Sequence, residues 1–258
     1  CIIVGGFMAS SEDILKMKTL LESRGIEIGN GYSYKMYQLR KDGHTFTFEE
    51  HIKAMLLSLL SANRPWKQVE ENIPKLDEIF GYYNPEFLKN EDPKVLMDNI
   101  CSAGCGNRAI MRQMQGVSYN VRLMEEIVDI IGDLEKLVTN NDPYDVSNVL
   151  SSGHYKLAGF AQTLALQYLR NVGIDTCKPD VHIRRILGRL GMIPYEDCSV
   201  RDVVNSMSGL GRELNLPITF VNEIIWLYGA TGFGEICSKN PKCGLCQIEH
   251  CIFRICNR

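Results

Sequence analysis

Four cysteines supply the clearest chemistry. Cys237, Cys243, Cys246 and Cys251 are separated by five, two and four residues, so four thiols fall within fifteen residues, with Pro241 and Gly244 helping the backbone turn around a centre. Four soft thiolates suit either a tetrahedral zinc or a cubane iron–sulfur cluster, and spacing alone does not choose between them. Unliganded buried cysteines are the weaker account, because such spacing rarely arises outside metal sites. Of the ten cysteines, Cys1, Cys101, Cys105, Cys177 and Cys198 are scattered and Cys256 is a spare fifth thiol beside the cluster. This distribution, without an export signal, points to a metal site in a reducing compartment rather than to disulfides. A second group is Lys178-Pro179-Asp180-Val181-His182, where an aspartate stands in front of an amphipathic stretch. An N-cap accounts for Asp180, since its carboxylate can accept from the first free N–H groups of a helix.

The elements that must position these groups read as helices. Ile52, Met55, Leu56, Leu59 and Leu60 recur at helical spacing, as do Leu123, Ile127, Ile130, Ile131, Leu134, Leu137 and Val138, and again Ile183, Ile186, Leu187 and Leu190. Breaks fall at 63–65, 82–85, 104–106, 140–143, 153–159 and 173–179, and from Gly229 onward. Between Ile26 and Phe48, alternating Tyr-Ser-Tyr-Lys-Met and Thr-Phe-Thr-Phe flank Lys41-Asp42-Gly43, which predicts a short N-terminal β-hairpin. With 258 residues and 45% apolar content, the chain can bury a core near the size at which one core gives way to two. No window reaches the length of apolar sequence that spans a membrane, so no membrane partner is expected. The net charge of −3 excludes a broadly basic nucleic-acid binder; any DNA-binding surface has to be local.

The cysteine segment, with Ile225-Trp226-Leu227-Tyr228-Gly229 before it, resembles the iron–sulfur loop that closes DNA glycosylases related to endonuclease III, with one residue fewer in each outer gap. Asp180-Val181-His182 resembles the Asp-x-His segment of the helix-hairpin-helix glycosylase superfamily, whose aspartate faces the flipped nucleotide. Upstream, Leu157-Ala158-Gly159-Phe160-Ala161-Gln162-Thr163-Leu164-Ala165 is similar to the superfamily's hairpin, with Ala161 where a second glycine is usual; Thr163 lies seventeen residues before Asp180. A hairpin that opens a helix offers N–H groups and a dipole to a phosphate without needing lysines.

The resemblance covers residues 46 to 251 and implies a mostly-α, two-lobed helix-hairpin-helix glycosylase fold. One lobe runs over 45–171; the other is made of 1–44 with 172–258 and carries the cluster loop 237–251. It implies one [4Fe-4S] cluster, with zinc as the alternative, on Cys237, Cys243, Cys246 and Cys251. It also implies a double-stranded DNA partner containing a damaged or mispaired base, lying in a cleft between the lobes. Asp180 would stabilise the positive charge that develops on the sugar as the N-glycosidic bond breaks. Bifunctional members carry a lysine where this chain has Thr163, so a monofunctional enzyme is expected; Lys156, before the hairpin, keeps a lyase as the minority reading.

Two further loops resemble segments that hold the duplex open. Asn63, with Arg64 beside it, ends an apolar helix and matches the residue that enters the emptied stack, although a helix C-cap explains it equally well. Gly104, Cys105, Asn107 and Arg108 match the wedge loop; Asn107 also suits a cap. Gly159, Phe160, Ala161 and Thr163 complete the expected DNA contacts, with Arg184 and Arg185 as phosphate contacts or a solvated face. His51, Trp66, His154 and Tyr155 are candidates for a base pocket, though packing explains such residues more often. A monomer, intracellular and associated with the nucleoid, is expected. A non-catalytic DNA-structure-binding protein on the same scaffold and a zinc-stabilised interaction module remain open alternatives, and the base removed is not readable from the sequence.

Overall fold

The computed structural model describes residues 9–62 and 65–256, and among them the chain is mostly helical with no strand. In chain order the helices are α1 (Ser11–Ser23), α2 (Tyr32–Lys41), α3 (Phe48–Leu60), α4 (Trp66–Glu71), α5 (Ile73–Ile79), α6 (Pro85–Asn90), α7 (Pro93–Ser102) and α8 (Ile110–Gln115). They continue as α9 (Val117–Ile131), α10 (Leu134–Thr139), α11 (Pro143–Ser151), α12 (Gln162–Asn171), α13 (Val181–Leu190), α14 (Val200–Leu214), α15 (Ile218–Gly229) and α16 (Ile252–Cys256). No helix among the described residues is long and apolar enough to cross a membrane.

Several helix starts follow directly from side-chain chemistry. Asn84-Pro85, Asp92-Pro93 and Asp142-Pro143 each place an N-cap whose side-chain oxygen accepts a backbone N–H, followed by a proline that lacks the N–H a helix start leaves unpaired anyway. The breaks at 82–85 and 140–143 are therefore beginnings of helices.

The N-terminal hairpin is corrected by the structure: Tyr32–Lys41 is helix α2. Asp42-Gly43 is not a strand turn but the helix end. Gly43 has φ +95°, its N–H donates to Arg40 O at 3.0 Å, and His44 N donates to Leu39 O at 3.0 Å, the paired bonds of a Schellman close. The second alternating stretch contains a cap, since Thr47 accepts from Glu50 N while Glu50 accepts from Thr47 N at 2.8 Å. Period-two patterning was local coincidence; α2 is held because Arg40 bonds Val172 O at 2.7 Å and Gly173 has no Cβ to strike Met36 O.

The chain divides into two compact units, residues 1–35 with 175–258 and residues 36–174, whereas the motif-based boundaries were 44/45 and 171/172. In the first, α1 contributes Ile14, Met17 and Leu21 to a core shared with Ile183, Ile186 and Leu187 of α13, Val203 and Met207 of α14, and Val221, Ile224 and Ile225 of α15. In the second, α3 is buried on every side from Ala54 to Leu60 and packs against α12, as expected of a helix with few polar positions.

One polar cluster interrupts that second core. The Arg40 guanidinium grips Glu135 through two hydrogen bonds of 2.8 and 2.7 Å, His51 Nε2 lies 3.0 Å from the same carboxylate, and His51 Nδ1 meets the Tyr168 hydroxyl at 2.6 Å. This joins α2, α3, α10 and α12. Burial by itself would raise the Glu135 carboxyl, but the bonds and charges of Arg40 and His51 outweigh it and bring the group from 4.5 down to about 2. Burial pushes the Tyr168 phenol well above its ordinary range, so it stays protonated.

Because the folded carboxyl titrates below the unfolded one, its stabilisation is complete above about pH 4.5 and is lost as pH falls toward 2. Glu135→Gln should cost on the order of 2 kcal/mol in urea unfolding at pH 7, less than for a fully buried pair because Arg40 and Glu135 are half-buried and partly screened. It should also flatten the decline of stability across that acid window. An unchanged acid limb would mean that this cluster does not govern it.

Candidate functional site

The four cysteines follow α15, and the end of that helix sets their register. Tyr228 O accepts from Ile236 N at 2.9 Å and from Cys237 N at 3.1 Å, while Lys242 N returns to Ile236 O at 2.8 Å. Gly229 carries no Cβ because one would lie 3.0 Å from Ile186 Cδ1 and 3.1 Å from Cys237 O. Cys237, Cys243, Cys246 and Cys251 line one cavity together with Arg189, Ile236, Pro241, Phe253 and Arg254. Among the described residues, no three His, Cys, Asp or Glu side chains are gathered closely enough for a single ion. The Cys256 side chain lies outside what is described.

Positive and donor groups surround these sulfurs. Arg189 Nη1 is 3.5 Å from Cys237 Sγ and 2.7 Å from Ser238 O, and its guanidinium lies 4.5 Å over the Phe253 ring. The Tyr228 hydroxyl donates to Cys246 Sγ at 3.2 Å, and Arg254 Nη1 donates to Cys246 O at 3.3 Å. Burial pushes the Cys237 thiol up to about 11 against the opposing influence of Arg189, and burial likewise raises Cys251. Thiols in that state release protons when they take a metal, which would then couple its binding to pH. A cavity lined by four thiols, two of which receive hydrogen bonds at sulfur, suits a thiolate-bound metal or cluster, whose negative charge such donors offset.

Asp180 sits at the other end of α13 from Arg189. Its Oδ1 accepts from His182 N at 2.9 Å and Ile183 N at 3.2 Å, so the cap is present. Oδ2 has no hydrogen bond among the described residues, and the side chain is half-buried beside exposed Val181. Lys178 N donates to Asn222 Oδ1 at 2.9 Å, which ties the approach to α13 onto α15. His182 packs edge-on against Trp226, and burial lowers its pKa against the pull of Asp180. Arg184 donates to Pro179 O at 3.0 Å and to Cys198 O, so its guanidinium ties the residues before α13 to the segment that leads into α14. Arg184, expected as a phosphate contact or a solvated face, is half-buried and makes these two backbone contacts.

In the other unit residues 157–161, expected as a hairpin, residues 104–108, expected as a wedge loop, and the end of α3 are physically joined. Gly104 has φ +72° and is exposed, Arg108 is exposed, and Asn107 accepts from Ala109 N at 2.7 Å while donating to Gln113 Oε1 at 2.9 Å. Gln113 in turn donates to Leu59 O at 2.8 Å. Gly159, with φ +80°, approaches the same Leu59 so closely that a Cβ would lie 3.0 Å from its Cδ2. Asn120 clamps the hairpin, accepting from Ala158 N at 2.6 Å and donating to Ala158 O at 3.1 Å. Ala161 caps α12 without a side-chain bond, and Gln162 is held by Ser147 and Asn148.

Three of the expected residues have buried side chains. Cys105 is fully buried with its thiol toward Gln68 O, Phe160 is buried in the core, and His51 belongs to the Glu135 cluster rather than to a base pocket. Ala161 is exposed and Thr163 half-buried; His154 is exposed and pairs with Glu126 at 3.0 Å. Asn63 and Arg64 lie outside the described residues. Sequence reasoning missed Gln113 and Asn120; an amide inside an otherwise apolar helical stripe is the signal that marks such struts.

No family model matches this chain, and neither a curated protein nor a solved structure matches it.

The two roles open to Asp180 separate by substitution. Asp180→Asn keeps a capping oxygen and should change stability by no more than about 0.5 kcal/mol, whereas Asp180→Ala should lose about 1 kcal/mol in denaturant unfolding. Equal losses in both variants would show that the cap is not what Asp180 contributes to folding.

Proposed function

We propose that this chain is a base-excision DNA glycosylase of the helix-hairpin-helix superfamily, carrying one [4Fe-4S] cluster on Cys237, Cys243, Cys246 and Cys251. The observation that carries the reading is α13: Asp180 caps its start, and Arg189 in its last turn holds the loop of four cysteines. That arrangement agrees with the order of motifs in the resemblance. Further support comes from the hydrogen-bonded linkage of the hairpin, the 103–110 loop and α3, the three segments expected on DNA.

The proposed chemistry uses the free oxygen of Asp180. Base release lengthens the bond between the sugar and the base and leaves positive charge on the sugar; a fixed carboxylate stabilises that charge and orients an incoming water. Because Oδ1 is held by the helix start, the carboxylate is aimed without further ordering. The hairpin and the start of α12 would take a phosphate through backbone N–H groups, which suits a chain of net charge −3. Thr163 has no amine to attack the sugar, so the product is an abasic site and the strand stays intact. When bound, the cluster supplies cross-linking and redox sensitivity, not bond breaking.

Duplexes each bearing one lesion, incubated with the protein and split between hot alkali and none, test this reading. Strand breaks only after alkali are expected, and Asp180→Asn should slow them by about 100-fold or more. Breaks without alkali would assign a lyase, with Lys156 the first residue to replace. No breaks on any lesion, with DNA binding intact, would favour a binding protein on the same scaffold.

A further inference from the structure

Tyr228 is 1% exposed and engages the cysteine loop from both of its ends. Its carbonyl accepts from Ile236 and Cys237, and its hydroxyl donates to Cys246 Sγ at 3.2 Å. Among the described residues that sulfur is the hydroxyl's hydrogen-bond partner. Arg189, the other donor to a cysteine sulfur, also holds Ser238 O and Lys239 O and stacks on Phe253, so its replacement would disturb the loop in several ways. The Tyr228 hydroxyl makes one contact and carries no charge.

From this geometry we infer that Tyr228 is a positioning residue that sets the reduction potential of the group bound by the four cysteines, by donating a hydrogen bond to the Cys246 sulfur. The inference rests on the reading of those cysteines as iron–sulfur ligands. A metal-bound sulfur is a thiolate, and its negative charge grows when the cluster accepts an electron. A donor aimed at the sulfur therefore favours the reduced form more than the oxidised one, and raises the potential. The Tyr228 hydroxyl is buried while Cys246 is half-buried, so the donor stays in place and the loss of its bond is felt at the electron-accepting centre itself.

The test is protein-film voltammetry on the holoprotein, with the electrode as electron source, alongside iron and sulfide analysis and the visible spectrum. Wild-type protein should be brown and contain iron and sulfide. Tyr228→Phe should retain both and shift to a more negative potential, by roughly a tenfold change in the reduced-to-oxidised ratio, about 59 mV for one electron. Replacing Tyr228 with ring-fluorinated tyrosine, a stronger donor of nearly the same shape, should shift the potential the opposite way; this variant decides the matter if Tyr228→Phe fails to hold its cluster. Tyr168→Phe removes a buried hydroxyl from the other unit and should leave the potential where it was. Unchanged potential on fluorination, or an equal shift in Tyr168→Phe, would overturn the role of Tyr228 while leaving the cluster in place. A colourless protein without iron would overturn the cluster reading and this inference with it.

Discussion

The burial of α13 constrains everything around the candidate chemistry. Its apolar stripe, Ile183, Ile186, Leu187 and Leu190, is sealed into the core, so the helix can neither rotate nor slide without exposing it. Ten residues of helix span about 15 Å, and the two ends are fixed by different means. At the N-terminus Asp180 caps the first turn and Arg184 draws Pro179 and Cys198 together. At the C-terminus Gly191 adopts the left-handed conformation, and Arg189 binds the cysteine loop. Whatever stiffens the loop therefore stiffens the helix that presents the carboxylate.

In the second unit, neutral amides hold the loops. Asn120 holds both polar groups of Ala158, and Gln113 connects Asn107 to the end of α3. A buried amide of this kind is costly unless its donors and acceptors are met, and here Asn120 fixes the backbone of Ala158 while Gln113 fixes Leu59 O. Segments that would meet a phosphate backbone are held without a concentration of lysine or arginine. That is how a chain with an acidic balance could still present a local nucleic-acid surface. A charged cluster of Arg40, Glu135 and His51, with Tyr168 beside it, ties four helices of this unit together.

Misreading α2 as a hairpin is instructive because each half of the pattern had a helical explanation. Lys41-Asp42-Gly43 has the composition of a strand turn, and the same glycine is what a helix needs at its close. Thr45-Phe46-Thr47-Phe48 alternates because Phe46 is buried and Thr47 caps α3. Period two over four residues cannot separate these cases; Arg40 meeting Glu135 and the close approach at Gly173 decide them, and both involve residues far away in the chain.

By itself the sequence determined what depends on near neighbours: helical stripes, the capping pairs before Pro85, Pro93 and Pro143, Asp180 at a helix start, and four cysteines within fifteen residues. These are local because a cap reaches three residues and a stripe repeats every three or four. Only the tertiary structure decided which polar side chains are already spoken for. Arg184 holds carbonyls, His51 is sealed beside Glu135, Cys105 and Phe160 face the core, and Tyr228 turns its hydroxyl toward Cys246. Those assignments come from pairs separated by as many as 117 residues, whose meeting depends on how whole helices pack and not on the residues beside them.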